Sequence, residues 1–268
     1  TGEAAEALAD LLREVHWRFA AEILRAADTA ARTPGAYPVY LTAFQCTPDA
    51  FVLEYFKRLM AAHDKPYLIL QLDDHASSVG YETRIEAAVR AFRNHYETRP
   101  GRLAAEPALT HPALRPKTED DLRDKTLLLP NWDPLAQPLV AANLRREGVD
   151  ARVLDESEAS IRESLRTNTG QCLPLNIVAG ELLGYIRRHD LDPGRTVLWM
   201  IRSSIACNLG LYAHHIRTLL AEADGGLART GIYTGGMSFS DISYRLPMEI
   251  YFAYQISGSI RRAGCRIR

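Results

Sequence analysis

The sequence predicts an α/β protein: two parallel-sheet, Rossmann-like lobes with helices on both faces. Three observations lead there. Short apolar runs alternate with longer stretches of helical periodicity, the pattern of parallel strands joined by helical crossovers. The 268 residues are 47% hydrophobic with a formal net charge of −1, enough apolar material for a real core and too little charge for global disorder. A stretch with four prolines, residues 96–122, splits the series in two and reads as a linker or an extended crossing segment.

Taken in order, residues 3–32 read as one helix, with Leu8, Leu11, Leu12, Val15, Phe19, Ile23 and Leu24 on a single stripe. Thr33-Pro34-Gly35 ends it, so 1–35 is an N-terminal helical segment. The first lobe, 36–95, opens with a strand from Pro38 to Phe44. Thr47-Pro48-Asp49 then starts a helix to about Ala62, with Thr47 as candidate N-cap and Pro48 in the first turn. Pro66 to Leu72 is a second strand, followed by a polar loop through Gly80 and a helix over about 81–95. The second lobe, 123–268, begins with a strand from Lys125 to Leu129 and a loop and helix from Pro134 to Gly148. A short strand from Ala151 to Leu154 precedes a helix from Glu156 to Leu165. The Thr169–Cys172 loop, a helix to about His189, a strand from Arg195 to Ile201 and, after Cys207, a helix to about Ala223 follow. A strand from Thr230 to Thr234 and a long helix from Asp241 to Gly264 complete the series.

Composition excludes several function classes. Near-neutral charge offers no footprint for nucleic acid, no apolar run approaches the ~20 residues that span a bilayer, and there is no signal-peptide pattern. Four dispersed cysteines do not form a secreted disulfide framework. The expected compartment is cytoplasmic. The start at Thr1 and stop at Arg268 read as the ends of a fragment.

Three cysteines sit where a βα loop meets a helix start: Cys46, Cys172 and Cys207. A helix N-terminus lowers a thiol pKa and supplies unpaired backbone N–H groups, and a thiolate is a metal ligand. In open α/β sheets such loops collect at the carboxyl edge. Three converging thiols would make a metal or iron–sulfur site. The alternatives are buried core cysteines and, disfavoured by the spacing, structural zinc. Cys265 lies past the expected helix end at Gly264 and reads as structural.

Other positions are weaker candidates. Asp73, Asp74 and His75, followed by Glu82 and Arg84, could be ligands or acid–base groups, or loop caps and ion pairs. His214 and His215 are neighbours that cannot share a helix face. Arg195 and Arg202 flank a strand and could meet an anionic substrate, or simply be solvated. Tyr244, Tyr251, Phe252 and Tyr254 read as helix packing. Gly235-Gly236 is too short a signal for a phosphate loop, and no Walker A, dinucleotide fingerprint or nucleophile elbow occurs.

Several segments resemble the activase-related proteins of the 2-hydroxyacyl-CoA dehydratase system. These are Phe44 to Phe51, Lys65 to Leu68, Leu72 to His75, Gly80 to Ala87, Thr169 to Pro174, and Tyr233 through Tyr254 to Arg268, all in one order across most of 36–268. The resemblance implies a dehydratase-component-like region: an α/β fold with Cys46, Cys172 and Cys207 as ligands of a [4Fe-4S] cluster, or alternatively a double-cubane [8Fe-9S] cluster. It also implies an anaerobic setting and reduction at low potential by a separate ATP-dependent activase. The activase sequence itself is missing, so ATP is not expected on this chain. An acyl-CoA or other small molecule is the implied substrate, and a dimer is left open. One departure stands out: Asn208 occupies a position that is usually arginine. The competing reading is a non-catalytic interaction or regulatory domain of a larger activase-like protein, its cysteines buried and reduced.

Overall fold

The computed structural model describes residues 8–9, 11–13, 15–43, 47–72, 78–98, 122, 124–165, 172–201, 203, 207–223 and 226–267. Among the described residues it is a mixed α/β structure with two sheets, both purely parallel. The chain forms two compact units. One comprises Thr1–His111 with Thr169–Cys172 and Ala206–Asn208; the other comprises Pro112–Asn168, Leu173–Ile205 and Leu209–Arg268.

In the first unit β1 (Val39–Thr42) pairs in parallel with β2 (Leu68–Gln71), Val39 opposite Leu68 and Thr42 opposite Gln71. Helix α1 (Arg18–Arg32) packs on α2 (Pro48–Ala62). The core between strands and helices holds Ala27, Ala31, Tyr40, Leu53, Phe56, Leu59 and Met60. Its rings interlock, Tyr40 to Phe56 at 4.7 Å and Phe56 to Tyr67 at 5.3 Å between centroids. The single N-terminal helix expected from periodicity is instead interrupted at Val15–Trp17. The break resets the helical phase, so α1 buries Ala20, Ala21, Leu24, Ala27 and Ala31 and turns Phe19 outward, 78% exposed.

Helix α3 (Val79–Thr98) is longer than expected and runs into the stretch read as linker, most of which lies outside the described residues. Its C-terminal half is tied to the strand pair by aromatic and polar contacts. Phe92 stacks on Tyr37 at 4.7 Å. Lys65 Nζ donates to the Thr33 carbonyl at 2.6 Å and lies 5.0 Å from the Tyr37 ring centre. His95 bridges Asp64 O at 3.1 Å and Tyr37 OH at 2.8 Å. A carbonyl can only accept, so Nε2 carries the proton and Nδ1 accepts from the tyrosine hydroxyl. Burial, and next the Lys65 charge, hold the His95 pKa below its usual value. A histidine kept neutral by folding contributes stability above its unfolded pKa that is lost as pH falls through that value toward the depressed one. The urea midpoint of the first unit is therefore expected to drop between pH 8 and pH 5.5 (about one unit below the ordinary histidine pKa), and His95→Gln should flatten that dependence.

In the second unit the sheet order is β4-β3-β5-β6, from β3 (Thr126–Leu129), β4 (Asp150–Val153), β5 (Thr196–Ile201) and β6 (Gly231–Gly235). β3 and β5 are central, so their residues are buried on both faces, as parallel sheet requires. Leu127, Leu129, Val197, Trp199 and Tyr233 meet α4 (Ala136–Arg146) and α8 (Leu246–Ile267) in one core. Leu128, Leu198, Met200 and Ile232 are equally buried on the other face, where α7 (Tyr212–Glu222) borders β6. Leu122, assigned to the linker by sequence, is buried in this core. Asp133 starts α4, its Oδ1 accepting from the backbone N–H groups of Leu135 and Ala136, while Arg261 of α8 donates to Oδ2 at 2.6 Å.

Helix α5 (Glu158–Ser164) lies against α6 (Leu173–Arg188). Gly180 permits the approach, since a Cβ there would stand 3.0 Å from Ser164 Cβ. Beside it the Glu181 carboxyl is buried and faces Ser160 Oγ at 3.2 Å. That serine has one proton, and the Ser157 carbonyl at 2.8 Å competes for it. Burial, with Glu156 and Asp155 nearby and Arg188 opposing them, raises the Glu181 pKa from 4.5 to about 6. A carboxyl raised by folding weakens the fold once ionised, so the penalty grows from pH 4.5 to about 6 and is constant above. Glu181→Gln is expected to stabilise the second unit by about 1–2 kcal/mol at neutral pH, with the gain vanishing in acid; denaturant titrations at both pH values check this.

Candidate functional site

The carboxyl ends of β1 and β2 are the structural origin of the site. Tyr40 in β1 donates its hydroxyl to the Asp49 carbonyl at 2.6 Å, fastening the strand to the first turn of α2. Burial raises the pKa of that phenol, which keeps it a donor. Leu72 N–H donates to the Thr42 carbonyl at 2.7 Å, continuing the ladder past the strands. Thr47 takes the N-cap position and Pro48 the first helical one, as the sequence predicts, although the Thr47 side chain makes no capping bond to the helix. Cys46 and the loop residues Asp73, Asp74 and His75 lie outside the described residues.

Cys172 directly precedes α6, and Cys207 directly precedes a 3₁₀ turn, Asn208–Leu211, that leads into α7. Both keep the predicted place at a helix start. Cys172 is buried and Cys207 exposed. The sequence places both in the C-terminal lobe; in the structure both group with the first unit, the one built on β1 and β2. A side-chain bond makes that grouping concrete. Asn208 Nδ2 donates to the Thr47 carbonyl at 3.3 Å across 161 residues of sequence. The residue after Cys207 thus touches the residue after Cys46.

The remaining candidates fall elsewhere. Arg195 lies at the amino end of β5 and donates to the Asp124 carbonyl at 3.0 Å, away from the carboxyl edge. Arg202 is outside the described residues. Glu82 and Arg84 are exposed on α3, and His214 and His215 are both buried in α7. Cys265 is not beyond a helix end: α8 continues through Gly264 to Ile267, leaving the thiol exposed in its last turn. Of the aromatic stripe, only Tyr254 packs in the core; Tyr244, Tyr251 and Phe252 are exposed. Gly235 serves packing, because a Cβ there would meet the Tyr233 ring at 3.0 Å. Asn208 is the site residue that sequence reading passed over as a contact. Its one signal was its place directly after Cys207 in the sequence.

Among the described residues no group of three His, Cys, Asp or Glu side chains is placed to hold a metal ion, and Cys46 is not among those residues. Cys172 and Cys207 belong to one unit, and the Asn208 bond ties the Cys207 turn to Thr47. None of the described helices is long and apolar enough to cross a membrane. Comparison with protein-family models, with curated proteins and with solved structures found no match to this chain.

Proposed function

We propose that this chain is an iron–sulfur electron-transfer or reductase module, similar to the dehydratase component of 2-hydroxyacyl-CoA dehydratases. Cys46, Cys172 and Cys207 hold its [4Fe-4S] cluster. The observation that carries the reading is the bond from Asn208 to the Thr47 carbonyl, together with the grouping of Cys172 and Cys207 in the unit built on β1 and β2. When bound, the cluster supplies a one-electron donor and, at an iron without a protein ligand, a Lewis acid.

The protein's own residues set the conditions. Burial of Cys172 limits solvent at one ligand, and exposure of Cys207 leaves the other side open to a small molecule or a redox partner. The uncharged Asn208 amide adds no cation beside the site, which favours a low reduction potential. An ATP-dependent activase is the electron source this implies, with an acyl-CoA or other small molecule as acceptor. The competing interaction-domain reading needs buried, inert cysteines; Cys172 suits it and Cys207 does not.

The visible absorption spectrum of the anaerobically purified chain tests the proposal. Broad brown absorption that bleaches on reduction is expected. A colourless protein that stays folded after exposure to oxygen would overturn it.

A further inference from the structure

Helix α5 is attached to the second unit mainly by hydroxyl groups. Among its described side chains the buried ones are Ser160 and Ser164; Ile161 is only partly covered, and Leu165, just beyond the helix, is 50% exposed. Both serines lie against α6. Ser164 occupies the space left by Gly180, and Ser160 meets the buried Glu181 carboxyl. A helix of seven residues is far shorter than the ~12–15 that hold helical form in isolation, so α5 keeps its shape by staying docked.

That docking is sensitive to one proton. Ser160 Oγ accepts from the Ser157 backbone N–H at 3.0 Å, and Ser157 Oγ accepts from the Ser160 backbone N–H at 3.0 Å, a reciprocal cap at the start of α5. The Ser160 hydroxyl proton points to the Ser157 carbonyl at 2.8 Å. Its second lone pair is then open to a donor, and Glu181 Oε1 stands 3.2 Å away. A protonated Glu181 supplies that donor, and each proton in the chain has an acceptor. An ionised Glu181 supplies none, so oxygen faces oxygen unless Ser160 gives up the Ser157 carbonyl. The surrounding charges sharpen the conflict. Glu156 and Asp155, from the loop after β4, disfavour ionisation, and Arg188 of α6 favours it. Arg188 is drawn aside, 3.9 Å from Asp155, which His189 also meets at 3.5 Å. The α5 charges Glu158 and Arg162 pair with each other.

We propose that α5 is a proton-controlled latch: protonation of Glu181 docks it on α6, and ionisation releases it, uncovering the α6 surface at Gly180 and Glu181. The opening lies on the helix that Cys172 directly precedes. The docked and released states differ in proton affinity. The carboxyl titrates at about 6 when covered and at its ordinary 4.5 when solvated. A group whose pKa is raised in the closed state favours closure in acid and loses that advantage as pH rises through the higher value. Opening therefore increases about eightfold between pH 5 and pH 7.5.

Amide hydrogen exchange of the full chain at the two pH values, each rate referred to the intrinsic rate at that pH, tests this. Protection of the α5 amides is expected to fall about eightfold at the higher pH. It should also be insensitive to dilute urea, because a local opening exposes little surface, whereas β5 amides exchange through global unfolding and respond to urea. Glu181→Gln carries a permanent amide donor toward Ser160 and should keep α5 equally protected at both pH values. Equal α5 protection in the parent protein at the two pH values, a pH effect that survives in Glu181→Gln, or one urea dependence shared by α5 and β5 amides would each overturn the proposal.

Discussion

Replacing Trp199 by alanine is expected to destabilise the second unit by about 3–5 kcal/mol, a large share of the roughly 5–15 kcal/mol available to a typical fold. Trp199 lies in central strand β5 opposite Tyr233 and is 2% exposed. Its ring centre is 4.9 Å from Phe239 and 5.2 Å from Trp132, so truncation opens a void that strand, loop and α8 cannot all close. Trp199 Nε1 is buried without a hydrogen-bond partner among the described residues. Trp199→Phe deletes that unsatisfied donor along with part of the ring and is expected to cost much less than alanine. Trp132→Ala, at a half-exposed ring, should cost about 1 kcal/mol. Denaturant titrations of the three variants, followed by far-UV circular dichroism, give the order. Equal losses for the alanine and phenylalanine variants of Trp199 would contradict the packing argument.

Cys207→Ser is expected to strip the cluster from the protein while leaving the apo fold intact. The thiol is exposed, so serine costs the polypeptide little, and any loss of iron reports ligation. Cys46→Ser is expected to lose iron similarly. Cys172→Ser should lose iron as well and also lower apo stability by about 1 kcal/mol, because a hydroxyl enters a buried position. Cys265→Ser, in the last turn of α8, should keep full iron content. Asn208→Asp replaces the amide donor to the Thr47 carbonyl with an acceptor; its cluster should be lost faster in air than that of the parent protein. Iron content after anaerobic reconstitution, set beside apo melting curves, separates these outcomes. Cys207 is the most discriminating position, since its thiol is exposed and its replacement costs the apo fold least.

The strands were legible because parallel strands are buried on both faces and read as unbroken apolar runs. β3 and β5 fall within a residue of where those runs place them. The start of α2 was legible from Thr47 and Pro48, since proline at a helix's first position has a local cause. The break at Val15–Trp17 was not, because apolar spacing continues across it and only packing of the small α1 face exposes the change of phase. Helix α8 defeated periodicity for a different reason. It carries apolar residues on two sides, and nothing local says whether the Ile250 side or the Phe252 side meets the sheet. Gly264 likewise reads as a stop, yet α8 passes through it without any positive φ.

The candidate site shows the same division. That Cys172 and Cys207 precede helical turns is a local property, readable from Leu-Pro and Asn-Leu-Gly beside them. Their grouping with β1 and β2 depends on tertiary contacts such as that of Asn208 with Thr47, which no spacing rule encodes. The buried Glu181 was equally hidden, since its helix reads as ordinary and only the approach of Ser160 reveals its strained ionisation.

The central claim is that three cysteines of this chain bind one iron–sulfur cluster. Iron and acid-labile sulfide per chain after anaerobic reconstitution, with EPR of the reduced protein, tests it most directly. About four irons and four sulfides, with a reduced-cluster signal, are predicted for a cubane site; fewer than about three irons per chain would contradict it.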